Sequence, residues 1–115
     1  MPEKDKQFVV IEPGHVYDAL DTELSEEPGH INKTRIVFMR KEPRQPGDGE
    51  LEVTLEGTTT EAIVGILIDR MQYLQEKVPC EENKSVLQGL FKARDWLDKR
   101  TKNRQERGVE GTNKA

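Results

Sequence analysis

GTTTEAIVGILIDRMQYLQEKVPC, residues 57 to 80, is the stretch on which the fold turns. Upstream of it the apolar residues alternate with a period of two; within it they recur every three or four positions, the pattern of an amphipathic helix. Thr58 with Glu61 reads as a capping box, T-x-x-E, that would satisfy the first free N–H groups. Ile63, Ile66, Leu67, Met71, Leu74 and Val78 supply an apolar stripe, and Pro79 ends the helix because it offers no N–H. Gly65 costs about 1 kcal/mol of helix propensity relative to Ala, which argues for a close backbone approach there.

Beyond the Val78-Pro79-Cys80 turn a second helix is expected from near Glu82 to about Glu106, with Val86, Leu87, Leu90, Phe91 and Leu97 at three- and four-residue steps before Gly108. Asn83 stands where it begins and is an N-cap candidate. Two helices of roughly 20 to 25 residues with so tight a connection make an antiparallel hairpin about 30 to 35 Å long.

Upstream, Phe8 to Ile11 reads as a strand stopped by the Pro13-Gly14 turn. The segment GHVYDALDTELSEEPGH, residues 14 to 30, is acidic and reads as irregular; Pro-Gly-His occurs twice, at Pro13 to His15 and Pro28 to His30, too short a unit for a structural repeat. Thr34 to Arg40 and Glu50 to Glu56 read as strands, the second alternating Leu51, Val53 and Leu55 with Glu52, Thr54 and Glu56, joined as a hairpin by the loop KEPRQPGDG. The expected fold class is α+β: a small N-terminal antiparallel β-sheet followed by a long antiparallel αα-hairpin. A chain of 115 residues has room for one domain, here residues 1–56 (β-rich), 57–107 (helical hairpin) and 108–115 (a glycine-containing tail).

Hydrophobic residues make up 33% of the chain and charged residues 35%, so a lone copy buries a thin core and a homo-oligomer is expected. One cysteine, Cys80, excludes a disulfide framework, and no Cys/His cluster has zinc-ligand spacing. The charged N-terminus MPEKDKQ lacks an apolar signal core and no run is long enough to span a membrane, so a soluble cytoplasmic protein is expected. The net charge of -4 is unevenly placed: from Leu90 to Ala115 there are eight Lys/Arg against four Asp/Glu, and the remainder carries the acidic excess. A local anion site fits that placement better than a broad nucleic-acid surface.

Arg100, Arg104 and Arg107 fall at helical spacing and run into Gly108, Gly111 and Thr112. Cations and a following glycine are ordinary helix-ending residues. Guanidiniums, glycine-freed backbone N–H groups and a hydroxyl are also what a phosphate needs. No Walker loop is present. Trp96 lines up with Gly89, Ala93 and Arg100, off the core stripe, on a face suited to a subunit interface or to trimming the chain's own core. Tyr73, near Arg70 and Lys77, is either a half-buried ring or a stacking platform for a base, and the Asn83 amide can read a base edge. His15 and His30 lie in acidic loops without catalytic or metal-binding spacing, and Cys80 has no neighbouring base, so no enzyme, metal or cofactor is expected.

Four marks, TTxE at the helix start, IDRxxYL, PCxEN at the turn and RxxRGVEGT at the end, cover residues 57 to 113, and through them the chain resembles the helical-hairpin domain of phage Thoeris anti-defence and anti-CBASS sponge proteins. The Thoeris type is the nearer match, because an N-terminal sheet precedes its hairpin. The resemblance implies a non-enzymatic protein that sequesters cyclic nucleotide immune signals in the infected host's cytoplasm. It implies a dimer with pockets between protomers for a cyclised ADP-ribose, or, as in some members, a hexamer, a trimer of dimers, that also holds cyclic trinucleotides near the threefold axis, with cyclic dinucleotides as a further ligand class. Carried onto this sequence, Tyr73 would stack the base, Asn83 hydrogen-bond it, and Arg100 with Arg104 hold the diphosphate; Arg107, Gly108, Gly111 and Thr112 would hold the trinucleotide. Replacing either Arg100 or Arg104 is then expected to weaken ligand binding and leave folding stability nearly unchanged. Neither a membrane nor a nucleic-acid polymer is an expected partner, although a nucleic-acid-binding module using the basic C-terminal helix is the alternative, and a plain protein-interaction hairpin a third reading.

Overall fold

The computed structural model describes residues 7–21, 33–43 and 51–106, which form two compact units. The tail with Arg107, Gly108, Gly111 and Thr112, the second Pro-Gly-His with His30, and most of the KEPRQPGDG loop lie outside the described residues.

The first unit is built on a three-stranded antiparallel sheet in the order β1 (Phe8–Glu12), β2 (Val16–Leu20), β3 (Lys33–Val37). Strand β1 ends where the sequence places its stop. Pro13 and Gly14 occupy the centre of a turn closed by the His15 N–H on the Glu12 carbonyl at 3.0 Å, and Gly14 takes φ +78°, the left-handed position of a type II turn. His15 donates from Nδ1 to the Pro13 carbonyl at 3.1 Å, which ties its ring to the turn.

Strand β2 is a correction to the sequence reading, which takes this acidic segment as irregular. VYDAL forms the central strand because its side chains alternate between two kinds of surroundings. Tyr17 and Ala19 join Phe8, Ile36 and Phe38 on one face. Val16 and Asp18 point to the other and are buried. Asp18 is only 2% exposed and is held by a two-pronged pair with Arg35 on the adjacent strand, Nε to Oδ1 at 2.8 Å and Nη2 to Oδ2 at 3.1 Å, with Lys33 at 3.5 Å. The Arg35 hydrogen bond holds the Asp18 carboxyl below its usual range despite the opposing effect of desolvation, and raises Arg35 in return.

The expected Thr34 to Arg40 strand is broken at Phe38-Met39. Its first part is β3; its second, β4 (Arg40–Pro43), pairs instead with β5 (Leu51–Leu55) in a separate two-stranded sheet. The break follows from a backbone crossing. Thr58 donates its N–H to the Val37 carbonyl at 2.8 Å and accepts from the Met39 N–H at 2.9 Å, forming an isolated parallel bridge between Phe38 and Thr58. Gly57 makes this approach possible, since a Cβ there would lie 2.3 Å from the Val37 carbonyl oxygen and 2.8 Å from its carbon. Arg40 pairs with Glu12 across the unit, and Leu51 and Leu55 are half-buried while Val53 is exposed.

The second unit contains the helical hairpin of α1 (Thr60–Lys77) and α2 (Glu81–Glu106), packed on each other. The cap of α1 is Thr59 and not Thr58: its hydroxyl accepts from the Ala62 N–H at 3.1 Å, while the Thr58 backbone is committed to the bridge. Glu61 therefore contributes only a favourable charge to the first turn. The inner stripe of α1 also differs from the expected one. Ile68 is its buried residue, flanked by the half-buried Ile63, Val64, Met71 and Leu74, whereas Ile66, Leu67 and Val78 are exposed. The run AIVGILI is apolar around most of the helix, so periodicity alone leaves the facing side open. On α2, Leu87, Leu90, Phe91 and Leu97 are half-buried as expected, and Val86 is exposed. Among the described residues Gly65 approaches no other backbone, for its Cβ would meet nothing within 4 Å.

Two measurements test these interactions. Gly57→Ala should destabilise the protein by about 1 to 3 kcal/mol, because the new methyl meets a fixed carbonyl and not a flexible side chain; a wild-type denaturation midpoint would contradict the close crossing. Asp18 has a lowered folded-state pKa, so its contribution is present above the unfolded carboxyl value of 3.8 and is lost as pH falls through the folded value. The stability of wild type should accordingly fall on the acid side of that value, and Asp18→Asn should flatten this part of the profile in urea titrations at stepped pH.

Candidate functional site

Most of the cation supply of the hairpin sits on the second half of α2, where Lys92, Arg94, Lys99, Arg100, Lys102 and Arg104 face only Asp95, Asp98 and Glu106. Steps of three and four residues place Trp96, Lys99, Arg100, Asn103 and Arg104 on contiguous helix surface. Trp96 is 69% exposed, with the Lys99 ammonium 4.6 Å from its ring centroid. Trp96 and the cations of Lys99 and Arg100 thus share one solvent-facing patch, a pairing suited to an anionic group attached to a planar ring.

The two arginines differ in environment. Arg100 is exposed. Arg104 is 8% exposed and continues the inward stripe of Leu87, Leu90, Leu97 and Thr101 at three-, seven-, four- and three-residue steps. It is engaged in interactions within the chain, as is Asn103. A guanidinium does not shed its charge when desolvated, so its burial requires such engagement. This burial argues against the expectation that Arg104 matters little for folding.

Tyr73 and Asn83 lie at the opposite end, by the turn. Tyr73 is exposed, its ring 5.5 Å from the Lys77 ammonium, as its position beside cations leads one to expect. Asn83 is not the N-cap of α2. Cys80 takes that place, its Sγ accepting from the Asn83 N–H at 3.4 Å and its carbonyl from the Lys84 N–H at 3.2 Å. The Cys80 N–H in turn donates to Gln75 Oε1 at 3.0 Å, so the cysteine is a fastened turn residue. Asn83 Nδ2 donates back to the Val78 carbonyl at 3.3 Å, which ties the amide to the turn.

One chain therefore brings these four residues together only as two pairs. Asn83 and Arg100 are seventeen positions apart on a single helix, about 25 Å along its axis at 1.5 Å per residue, beyond the reach of either side chain. Arg107, Gly108, Gly111 and Thr112 lie outside the described residues. Among the described residues no three His, Cys, Asp or Glu side chains are grouped as a metal site requires, and no helix is long and apolar enough to cross a membrane.

A further feature is absent from the sequence reading. On the three-stranded sheet Phe8, Tyr17, Ala19, Ile36 and Phe38 line an open apolar groove of about 290 Å³, with Phe8 and Phe38 each edge-on to Tyr17 at centroid distances of 6.0 and 5.9 Å. The signal for it is the alternation of Phe8/Val10, Tyr17/Ala19 and Ile36/Phe38, hidden because the middle strand is interrupted by Asp18 and flanked by acidic residues.

Over 57 residues the chain is 42% identical to Thoeris anti-defense 1 of Bacillus phage SBSphiJ7, an alignment covering 49% of this chain and 40% of that protein. The chain thus matches less than half the length of this relative. No protein-family model matches it.

The different settings of the two arginines give a direct test. Arg104→Ala should cost about 1 to 3 kcal/mol of folding stability, whereas Arg100→Ala should stay within about 0.5 kcal/mol of wild type. Equal midpoints for the two variants in chemical denaturation would contradict the burial of Arg104.

Proposed function

We propose that this chain is a phage anti-defence protein of the Thoeris anti-defence kind, and that it acts without catalysis by sequestering a small cyclic nucleotide signal. The similarity to Thoeris anti-defense 1 supports the anti-defence role. The observation that carries the mode of action is the distribution of Tyr73 and Asn83 at one end of the hairpin and Arg100 and Arg104 at the other. Two hairpins laid antiparallel, side by side, bring the base-binding pair of each copy to the phosphate-binding pair of the other. The pocket is then a property of the dimer, with two equivalent sites related by the twofold axis.

In this arrangement Tyr73 stacks on the base and the Asn83 amide reads its edge. Arg100 and Arg104 hold the diphosphate of a cyclised ADP-ribose in charge-assisted bonds. Arg104, already packed within its own chain, offers a guanidinium of restricted mobility, which lowers the entropic cost of gripping the ligand. Cyclic trinucleotides, with Arg107, Gly108, Gly111 and Thr112 as the donors on a threefold axis, would form a second ligand class in a larger assembly.

A nucleic-acid-binding role is the second reading, favoured by the six cations on the latter part of α2. Salt separates the two: polymer binding falls log-linearly and steeply with salt through counterion release, while a pocket closing on one small anion responds weakly.

The test is complementation. Asn83→Ala and Arg100→Ala should each weaken binding of cyclised ADP-ribose, the arginine change by about 2 to 5 kcal/mol, as measured by calorimetry. Mixed dimers of the two variants should regain one tight site of two, because one site then draws its asparagine and its arginine from intact copies. Mixed dimers without any tight site would refute the shared pocket, and strong salt-dependent binding of random single-stranded RNA would favour the alternative.

A further inference from the structure

The two edges of the three-stranded sheet are protected unequally. Along β3 the outward-facing edge positions are Lys33, Arg35 and Val37; the first two are charged, and the Val37 carbonyl is already taken by the Thr58 N–H. Charges and a covering segment are ordinary means of stopping an edge from recruiting another strand. Among the described residues, edge strand β1 carries neither between Phe8 and Ile11. Phe8, Val9, Val10 and Ile11 are consecutive, uncharged and between 41% and 48% exposed, so apolar surface is open on both faces of one strand.

The hydrogen-bond register identifies the backbone groups involved. Leu20 donates its N–H to the Gln7 carbonyl at 2.9 Å, and β1 and β2 continue in register as Phe8 with Ala19, Val9 with Asp18 and Val10 with Tyr17. In an antiparallel ladder alternate residues bond inward, so Gln7 and Val9 face β2 while Phe8 and Val10 turn their N–H and C=O groups outward. The register breaks after Val10, which limits the free ladder to this short stretch.

We propose that β1 pairs antiparallel with β1 of a second copy of this chain across a twofold axis at Val9, joining two three-stranded sheets into one of six strands. Phe8 of each copy then lies opposite Val10 of the other, and their outward groups exchange backbone hydrogen bonds. The stretch suits its own copy because it carries no charge to repel an identical strand, and Glu12 at its end is paired with Arg40 of its own chain. Phe8 and Val10 share the face that holds Tyr17, Ala19 and Ile36, so pairing continues the aromatic groove of each copy across the axis and covers the Phe8 rings. This contact is separate from the antiparallel packing of hairpins and does not depend on the ligand reading.

Native-state hydrogen exchange of the wild-type chain tests it without relying on a mutant fold. The Phe8 and Val10 amides should exchange at least about tenfold more slowly at high than at low micromolar concentration, since the second copy covers them. Light scattering should show an assembly larger than the 13.2 kDa chain. Val10→Lys, which places charge at the axis, and Val10→Pro, which removes the outward donor, should each reduce its mass with the circular dichroism retained. A monomeric wild type, unprotected or concentration-independent Phe8 and Val10 amides, or an assembly mass unchanged in both variants would overturn the proposal. The first two outcomes together would leave β1 as a docking edge for a strand of another protein.

Discussion

A continuous α-helix fixes the separation of its ends, because each residue adds the same rise while the i to i−4 hydrogen bonds hold. In α2 this constraint governs everything the hairpin can do as a binding surface. Its first turn carries Asn83, fastened to the Val78 carbonyl, and its last turns carry Arg100 and Arg104. No rotamer change brings these groups to one small ligand within a chain, and a kink large enough to do so would have to break the stripe from Leu87 to Arg104 that packs the helix. A pocket containing both pairs must draw them from different copies. The stiffness that keeps the residues apart also preorganises each pair.

The hairpin was legible in the sequence because helix punctuation is local. Pro79, the apolar steps of Leu87, Leu90 and Leu97, and the shift of period at Gly57 act within a turn or two of where they stand. The details that failed depend on contacts the local sequence does not contain. Thr58, Thr59 and Thr60 are equivalent as candidate caps until the Val37 carbonyl claims the Thr58 N–H; that distant bond selects Thr59. Asn83 looks like a cap by residue type, yet Cys80 begins the helix and the asparagine closes the turn behind it. Ile66, Leu67 and Ile68 are adjacent and alike, and packing against α2 decides that Ile68 is the one buried.

The sheet was harder to read for a related reason. Strand β2 contains a carboxylate at a position that a simple pattern reserves for a hydrophobic side chain, and Asp18 is nonetheless the least exposed of the buried side chains. Its partner Arg35 is directly across the ladder, so the pair is visible only once the register of two strands separated by an acidic segment is known. The same holds for the groove, whose lining residues come from three strands and a bridge residue. Of the candidate site, the residue types and their helical spacing could be read from the sequence, while ring type alone leaves the exposure of Trp96 and Tyr73 open. The burial of Arg104 could not be read, since an arginine among Lys102, Asn103 and Gln105 gives no sign of continuing a leucine stripe.

Arg104 joins the stability of the hairpin to its proposed ligand chemistry. A guanidinium cannot discard its charge when desolvated, so the chain must keep it engaged before any ligand arrives. A phosphate that reaches it has to share or displace those interactions, and only the difference between the two sets contributes to affinity. Arg100, exposed on the adjacent turn, has no comparable packing to give up and is free to supply the initial attraction. In the proposed pocket the pair would divide its work by burial: the outer cation would draw the anion in, and the inner one, already oriented, would discriminate by geometry.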